Sequence, residues 1–413
     1  MSSISKNRPA KTDWPTMVLV SLSFAIMIAM PTASVPVLFK EIAGDLNLDV
    51  VQVGSIWGMI SLGSIFVTPV GGVLCDRLGA ARSIVVIGML SGLVGATRSF
   101  SNSYAALMAT TFLWGLVSAA MSPALTMSAS LSSSEQKQGL AQGFMGVGGG
   151  LGVMLGSMMS ATVLSPLVGG WRNVFLLYGG IAVLTSLIWL LRRKSLRNLQ
   201  VVGQRTPIPF FQSVTRVLRL KEFWVIGLSL MAFQACITGM QGYLPYYLQG
   251  IGWSAVAAGG ALAVYSGAGT FGVIPMSLLS DRLGSRKVCL YISFVSTIIG
   301  TGLISTVHGS ALWVLVIMAG VFYQTNSALF VAMCFETVPV GPSYSGTALG
   351  MMLSMGLIGR AFSPPLGNSL ADISQTIAWP FIFWAGLGIV GMIVLVFVKE
   401  RHRRGPRVAA NIG

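Results

Sequence analysis

Apolar residues along this chain fall into long runs, separated by short polar turns rich in Gly, Asp and Arg. A helix needs about 20 apolar residues to cross the core of a bilayer. Twelve stretches approach that length: 16–38, 50–71, 82–99, 104–129, 140–163, 173–191, 223–246, 256–279, 287–306, 311–333, 345–369 and 378–398. The pattern predicts an all-α polytopic membrane protein with twelve transmembrane helices. One connection, residues 192–222, is much longer than the rest. It divides the chain into an N-terminal six-helix half (16–191) and a C-terminal six-helix half (223–398), flanked by tails at 1–15 and 399–413.

The halves repeat one another. Gly72-Val-Leu-Cys-Asp76-Arg77-Leu-Gly79-Ala-Ala-Arg82 forms a tight charged turn after the second run. Asp281-Arg282-Leu-Gly284-Ser-Arg286-Lys287 repeats it after the eighth, the two aspartates lying 205 residues apart in a chain of 413. Gly139-Leu-Ala-Gln-Gly143 opens the fifth run and Gly346-Thr-Ala-Leu-Gly350 the eleventh, and Gly152 and Gly359 keep the same offset. Small residues at helical spacing let membrane helices pack backbone to backbone, so two pseudo-symmetric halves are expected.

Composition agrees with a lipid environment. Hydrophobic residues are 54% of the chain and charged ones 9%, against about a quarter charged in soluble domains. A net charge of +15 would in a soluble protein suggest nucleic acid, but here the charge follows topology. Of the 26 Lys and Arg, 22 fall on the N-terminus, the connections after runs 2, 4, 6 and 8, and the C-terminal tail. The positive-inside rule then places both termini in the cytoplasm of a plasma membrane, of the bacterial inner-membrane type, with the bilayer and not nucleic acid as partner. Lys6, Arg8 and Lys11 precede a run too long for a removable signal peptide. Trp171, Trp253, Trp313 and Trp379 are expected at the outer interface. Four cysteines in or beside apolar runs read as small apolar residues, and neither a metal nor a cofactor is expected. The central connection ends in Phe210-Phe211-Gln-Ser-Val-Thr-Arg216-Val-Leu-Arg219-Leu-Lys221. It suits either a helix lying on an anionic leaflet or a plain linker with topogenic charge.

With these features in place, the chain resembles the major facilitator superfamily. Gly72, Asp76, Arg77 and Gly79 match the family's Gly-x-x-x-Asp-Arg-x-Gly motif, with Ala80 and Ala81 where basic residues are usual and the charge moved to Arg82. In the second half Asp281, Arg282, Gly284 and Arg286 match, while Ser277 replaces the leading Gly. The resemblance implies alternating access, with the motif's Asp and Arg residues bracing the cytoplasmic start of span 11. It also implies a cavity lined by spans 1, 4, 7 and 10. Two markers of the proton-coupled exporters of this fold are absent: Thr111 stands where they carry Arg four residues before Gly115, and span 5 lacks their Gly-Pro pair.

Ionisable groups inside a membrane are costly and so are functional candidates. No Asp or Glu lies in the middle of a run. Glu135 and Glu336, at the cytoplasmic ends of spans 4 and 10, read either as part of the gate network or as solvated loop charge. Arg360 is the exception, about 22 Å into span 11 at about 1.5 Å per residue. Pro364-Pro365 follows it and should break or kink the helix. Arg360 could clamp a carboxylate bidentately, or it could snorkel or pair with Asp372. Arg98 reads as an interface anchor. On the spans expected to line the cavity, Gln234, Thr238, Gln241 and Tyr243, then Tyr323, Gln324 and Asn326, then Thr111 and Trp114 could orient a solute or bond between helices.

The expected activity is secondary active or facilitative transport by a monomer, of a small organic anion such as a carboxylate metabolite, with a coupling ion that is a proton or a counter-anion. The competing expectations are transport or efflux of a neutral or amphipathic solute, and a receptor or scaffold that transports nothing. An enzyme is not expected, since no catalytic cluster and no phosphate-binding loop is visible.

Overall fold

The computed structural model describes residues 13–133, 138–197, 210–337, 345–374 and 376–398. Twelve long helices follow in order among them: α1 (Trp14–Leu46), α2 (Val50–Leu78), α3 (Ala80–Thr97), α4 (Tyr104–Leu131), α5 (138–168), α6 (Trp171–Arg197), α7 (Lys221–Gly250), α8 (Ala255–Leu283), α9 (Arg286–Leu303), α10 (311–337), α11 (Ser345–Ser374) and α12 (Trp379–Val396). A short helix, Phe210–Leu218, precedes α7. Ten of the twelve are long and apolar enough to cross a membrane by length and composition. Of the other two, α9 opens on Arg286-Lys287, and α11 is rich in Gly and Ser around Arg360. Lipid-facing stripes are plain, as in Leu184, Leu187, Ile188 and Leu191 of α6, all exposed at i, i+3, i+4 and i+7.

The helices overrun their apolar stretches, which corrects the expected charged loops. Gly72, Asp76 and Arg77 lie in the last two turns of α2, and Arg82 in the first turn of α3. The connection shrinks to Gly79, at φ 79°. Likewise Asp281 and Arg282 end α8, Gly284 turns at φ 63°, and Arg286 opens α9. A helix keeps its backbone bonds past the point where side chains turn polar, and it stops where glycine alone accepts the left-handed conformation. At the opposite end α1 runs eight residues beyond its expected limit to Leu46, carrying Lys40, Glu41 and Asp45. There α2 begins with a capping box, Gln52 donating to Asp49 Oδ1 at 2.7 Å and Asp49 to Gln52 Oε1 at 3.1 Å.

Within the first half α3 packs on α6, α2 on α4 and α1 on α5; within the second α7 packs on α11 and α12, and α9 on α10 and α12. Between the halves α2 packs on α11 and α5 on α8. Rotating one half onto the other exchanges these two contacts, so the interface has the symmetry expected of the repeat. The glycines at matched offsets do the same work. A Cβ at Gly152 would lie 2.6 Å from Ala29 Cβ of α1, and one at Gly359 would overlap the Met231 carbonyl of α7. Gly58 of α2 is held equally close to the Ala361 carbonyl of α11.

α11 stays helical through Pro364-Pro365. The two prolines cannot donate to the carbonyls of Arg360 and Ala361. The Ala361 carbonyl is covered by Gly58, so the continuous helix fits because its partner is a glycine at that level.

Candidate functional site

The two halves place their intramembrane polar groups differently. In the first half Thr111 and Trp114 lie with Leu107 and Ser118 on the buried stripe of α4. There the Arg98 guanidinium sits 4.3 Å from the Trp114 ring centroid and 4.3 Å from that of Phe175 on α6. Its Nε donates to the Gly95 carbonyl at 3.1 Å, and the residue is 1% exposed. Arg98 is therefore a core residue of the first half and not an interface anchor. No pattern within one helix could reveal this, because its partners come from α4 and α6.

The end of the bundle opposite the basic connections is laced together. Glu41 accepts from the Ser165 hydroxyl at 2.7 Å and from the Trp171 backbone N–H at 2.7 Å, capping the start of α6 where a carboxylate is favoured. Asp45 accepts from the Trp171 indole at 3.1 Å and pairs with Arg172, which also reaches the Ser101 carbonyl. Trp171 is thus buried by its partners instead of lying at the interface, while Trp379 is exposed and Trp253 and Trp313 form a half-buried ring pair. Three side chains among the described residues join the halves here, the first being exposed Lys40 of α1, which donates to the Gln249 carbonyl of α7 at 3.5 Å. Asn368 of α11 donates to the Val50 carbonyl at 2.8 Å, and the Trp57 indole of α2 donates to the Thr238 carbonyl at 3.0 Å. The halves are closed together at this end.

In the second half the candidate residues converge from α7, α8, α10 and α11. Gln324 donates to the Thr270 hydroxyl at 3.1 Å and to the Tyr323 hydroxyl at 3.0 Å. One face of the Tyr323 ring stacks on Tyr265 at 4.9 Å, and its edge rests on Gly269. Arg360 is half-buried and within electrostatic reach of the Tyr323 hydroxyl. Its Nε is buried without a hydrogen-bond partner. One turn earlier Gly356 lies against Gln234 of α7. On α11 the contacts to α7 (Gly356, Gly359) and to α2 (Ala361, Asn368) flank the direction of Arg360, so its side chain leaves the helix between those two neighbours. Asp372 lies twelve residues further along α11, about 18 Å in a straight helix, which excludes the pairing left open by the sequence. Asn326 is 1% exposed with neither amide atom paired.

Not every candidate gathers here. Gln241 is half-buried one turn beyond Thr238, and Thr238 itself is buried beside Trp57. Tyr243 turns instead towards α12, its ring 5.6 Å from those of Phe381 and Trp384. At the basic end Arg82 and Arg282 are exposed, while Arg286 donates to the Ser280 hydroxyl at 2.8 Å within its own half. Lys287 caps α12 through the Val396 and Val398 carbonyls. Glu135 lies outside the described residues, as do the surroundings of Gly72 and the side chains of Asp76, Arg77, Asp281 and Glu336.

The family model of the Major Facilitator Superfamily matches residues 17–343 and 251–411. The chain is 22% identical over 409 residues to the 3-(3-hydroxy-phenyl)propionate transporter of Escherichia coli K12, covering 98% of this chain and 99% of that one. It is 24% identical over 406 residues to a probable nitrate/nitrite antiporter, NarK1, of Thermus thermophilus, covering 88% and 86%. The crystal structure of the nucleoside transporter NupG superposes with a TM-score of 0.72 at 15% identity, covering 92% of this chain and 98% of that one.

Proposed function

Because this chain belongs to the major facilitator superfamily, a family of multi-pass transporters of small solutes, we propose that it moves a small organic anion by alternating access, with Arg360 as the charge that meets the substrate. The observation that carries this reading is the orphaned Nε of Arg360 at mid-depth on a residue that is only half-buried, where Arg98, which also keeps an unpaired nitrogen, is sealed by aromatic rings. A guanidinium there loses hydration, and a carboxylate held by two parallel hydrogen bonds offsets that loss best. Gln324, Thr270, Tyr323 and Gln234 supply neutral donors and acceptors around it. The substrates for which the two relatives are named, an aromatic carboxylate and nitrate or nitrite, share a negative charge and support the same class. No carboxylate stands at mid-depth in the sequence, so the coupling charge is carried by a proton on another group or by an exchanged anion.

The proposed orientation puts both termini and the 192–222 connection in the cytoplasm of a plasma membrane, with the bundle closed on the outside and the Arg360 site reached from within. Asp76, Arg77 and Arg82, with Asp281, Arg282, Arg286, Glu135 and Glu336, then form the cytoplasmic gate. Proteoliposome uptake against a panel of carboxylates, sugars and dyes tests the substrate class. Saturable carboxylate uptake that fails in a folded Arg360→Gln variant is the expected result. Wild-type uptake by that folded variant overturns the reading.

A second reading, a neutral hydroxylated solute, is favoured by the Gln324–Thr270–Tyr323 hydrogen-bonded set. It is distinguished in the same panel by sugar uptake that survives Arg360→Gln.

A further inference from the structure

Helix Phe210–Leu218 packs against α7 and α11. Val217 is fully buried and anchors it, and the Leu220 N–H closes its end on the Val217 carbonyl at 3.0 Å. Trp224, in the first turn of α7, is 43% exposed, and its indole N–H donates to the Leu218 carbonyl at 2.8 Å. An exposed indole with its polar edge held by backbone suits the boundary between headgroups and acyl chains. The hydrogen bond ties the end of the short helix to that depth. Leu218 is itself 40% exposed, and the apolar surface continues along α7 through Leu228. Arg216, Arg219 and Lys221 surround this edge with their side chains exposed.

We propose that this surface is a docking site for anionic phospholipid headgroups, with Arg216, Arg219 and Lys221 holding the phosphate and Leu218 and Trp224 seated among the acyl chains. A protein or nucleic-acid partner would meet the same charges but would leave Leu218 and Trp224 facing lipid without a role. Basic side chains also complement the C-terminal dipole of the short helix, so the test must separate lipid contact from that local effect.

The full chain bearing Thr215→Cys, labelled with bimane, is reconstituted in phosphatidylcholine vesicles containing spin-labelled phosphatidylglycerol or spin-labelled phosphatidylcholine. Each basic group near an anionic surface attracts it appreciably, so quenching by phosphatidylglycerol should exceed that by phosphatidylcholine about twofold or more. The ratio should fall to near one in Arg216→Gln/Arg219→Gln/Lys221→Gln. It should fall likewise for the wild-type background in about 1 M salt, where the Debye length is about 3 Å. If the triple variant does not fold, the salt arm decides. Equal quenching by the two lipids in the wild-type background overturns the proposal, as does a preference that survives the triple substitution or high salt. Loss of the preference on adding inorganic phosphate, with no loss in chloride of equal ionic strength, would assign the site to free phosphate and also overturn it.

Discussion

Arg98 and Arg360 are both arginines inside a membrane bundle, one in each half, and their surroundings are opposite. Arg98 is enclosed at 1% exposure: two aromatic rings take the faces of its guanidinium and a carbonyl takes its Nε, although its Nη1 is buried without a hydrogen-bond partner. Arg360 is half-buried: its Nε has no partner, and the polar groups on its side of the bundle, Gln324, Thr270 and Tyr323, are bonded to one another. The first arrangement stabilises the cation within the protein, at about 2 kcal/mol or more for a desolvated cation over a ring. The second leaves part of the desolvation cost standing, and a bound anion can remove it. Depth in the membrane alone does not mark a functional charge. Both arginines keep one unpaired nitrogen, so the difference lies in enclosure: Arg98 is sealed between two rings, whereas Arg360 is half-buried and has room for a partner from outside the protein.

The largest expected effect is therefore on Arg360. If the proposed organic anion is the substrate, Arg360→Gln should lower its kcat/KM about 100-fold, close to 2.7 kcal/mol, with thermal stability in detergent near wild type. Arg360→Lys should fall between, since it keeps the charge but loses the fork geometry. The mirror experiment is on Arg98. Arg98→Ala should cost about 2–4 kcal/mol of stability by emptying the space between Trp114 and Phe175. Arg98→Met fills most of that space and makes sulfur–ring contacts, so it should keep both fold and transport. A folded Arg98→Met protein that cannot transport would break the comparison.

The sequence made the helices and the repeat legible because both are local or periodic signals. Apolar run length located all twelve helices, and the glycines at matched offsets marked the contacts of α5 on α1 and α11 on α7. Helix ends were less legible. A polar side chain does not stop a helix, and Gly79, not the charges around it, decides where α2 ends. Pairings between helices were least legible. Helical spacing puts Gln234, Thr238 and Gln241 on one face, yet it cannot say that Trp57 of α2 meets the Thr238 carbonyl or that Tyr243 faces α12. The burial of Arg98 is hidden in the sequence for the same reason, its two rings lying 16 and 77 residues further along the chain.

A smaller effect sharpens the same contrast. Tyr323→Phe removes the hydroxyl that accepts from Gln324 beside Arg360, a loss of about 1 kcal/mol. The KM for the anion should rise about fivefold, with little change in melting temperature. Thr111→Val, on the buried stripe beside Trp114, should leave KM within about twofold and act on stability alone. If both variants raised KM equally, the first half would share the substrate site and the division between halves would be wrong.

The smallest expected effect tests which side of the membrane reaches the two arginines. Asn368 spans the interface to the Val50 carbonyl at 2.8 Å, but its Oδ1 is buried without a partner. Asn368→Ala removes the bond and the orphaned oxygen together, so the closed state should lose only about 0.5–1 kcal/mol. That corresponds to about a threefold rise in the fraction of molecules open at this end. A membrane-impermeant thiol reagent applied outside should label Gln234→Cys, beside Arg360, about three times faster in the Asn368→Ala background. Ser99→Cys, beside Arg98 and 7% exposed in the wild-type residue, should show no such acceleration, because its surroundings belong to one half and do not open with the interface. Acceleration at both positions would mean that Asn368→Ala loosens the bundle as a whole. No acceleration at Gln234→Cys would remove Asn368 from the closure. Only a change confined to the Arg360 side supports a hinge between two rigid halves, one holding its arginine for the fold and the other presenting it to the solute.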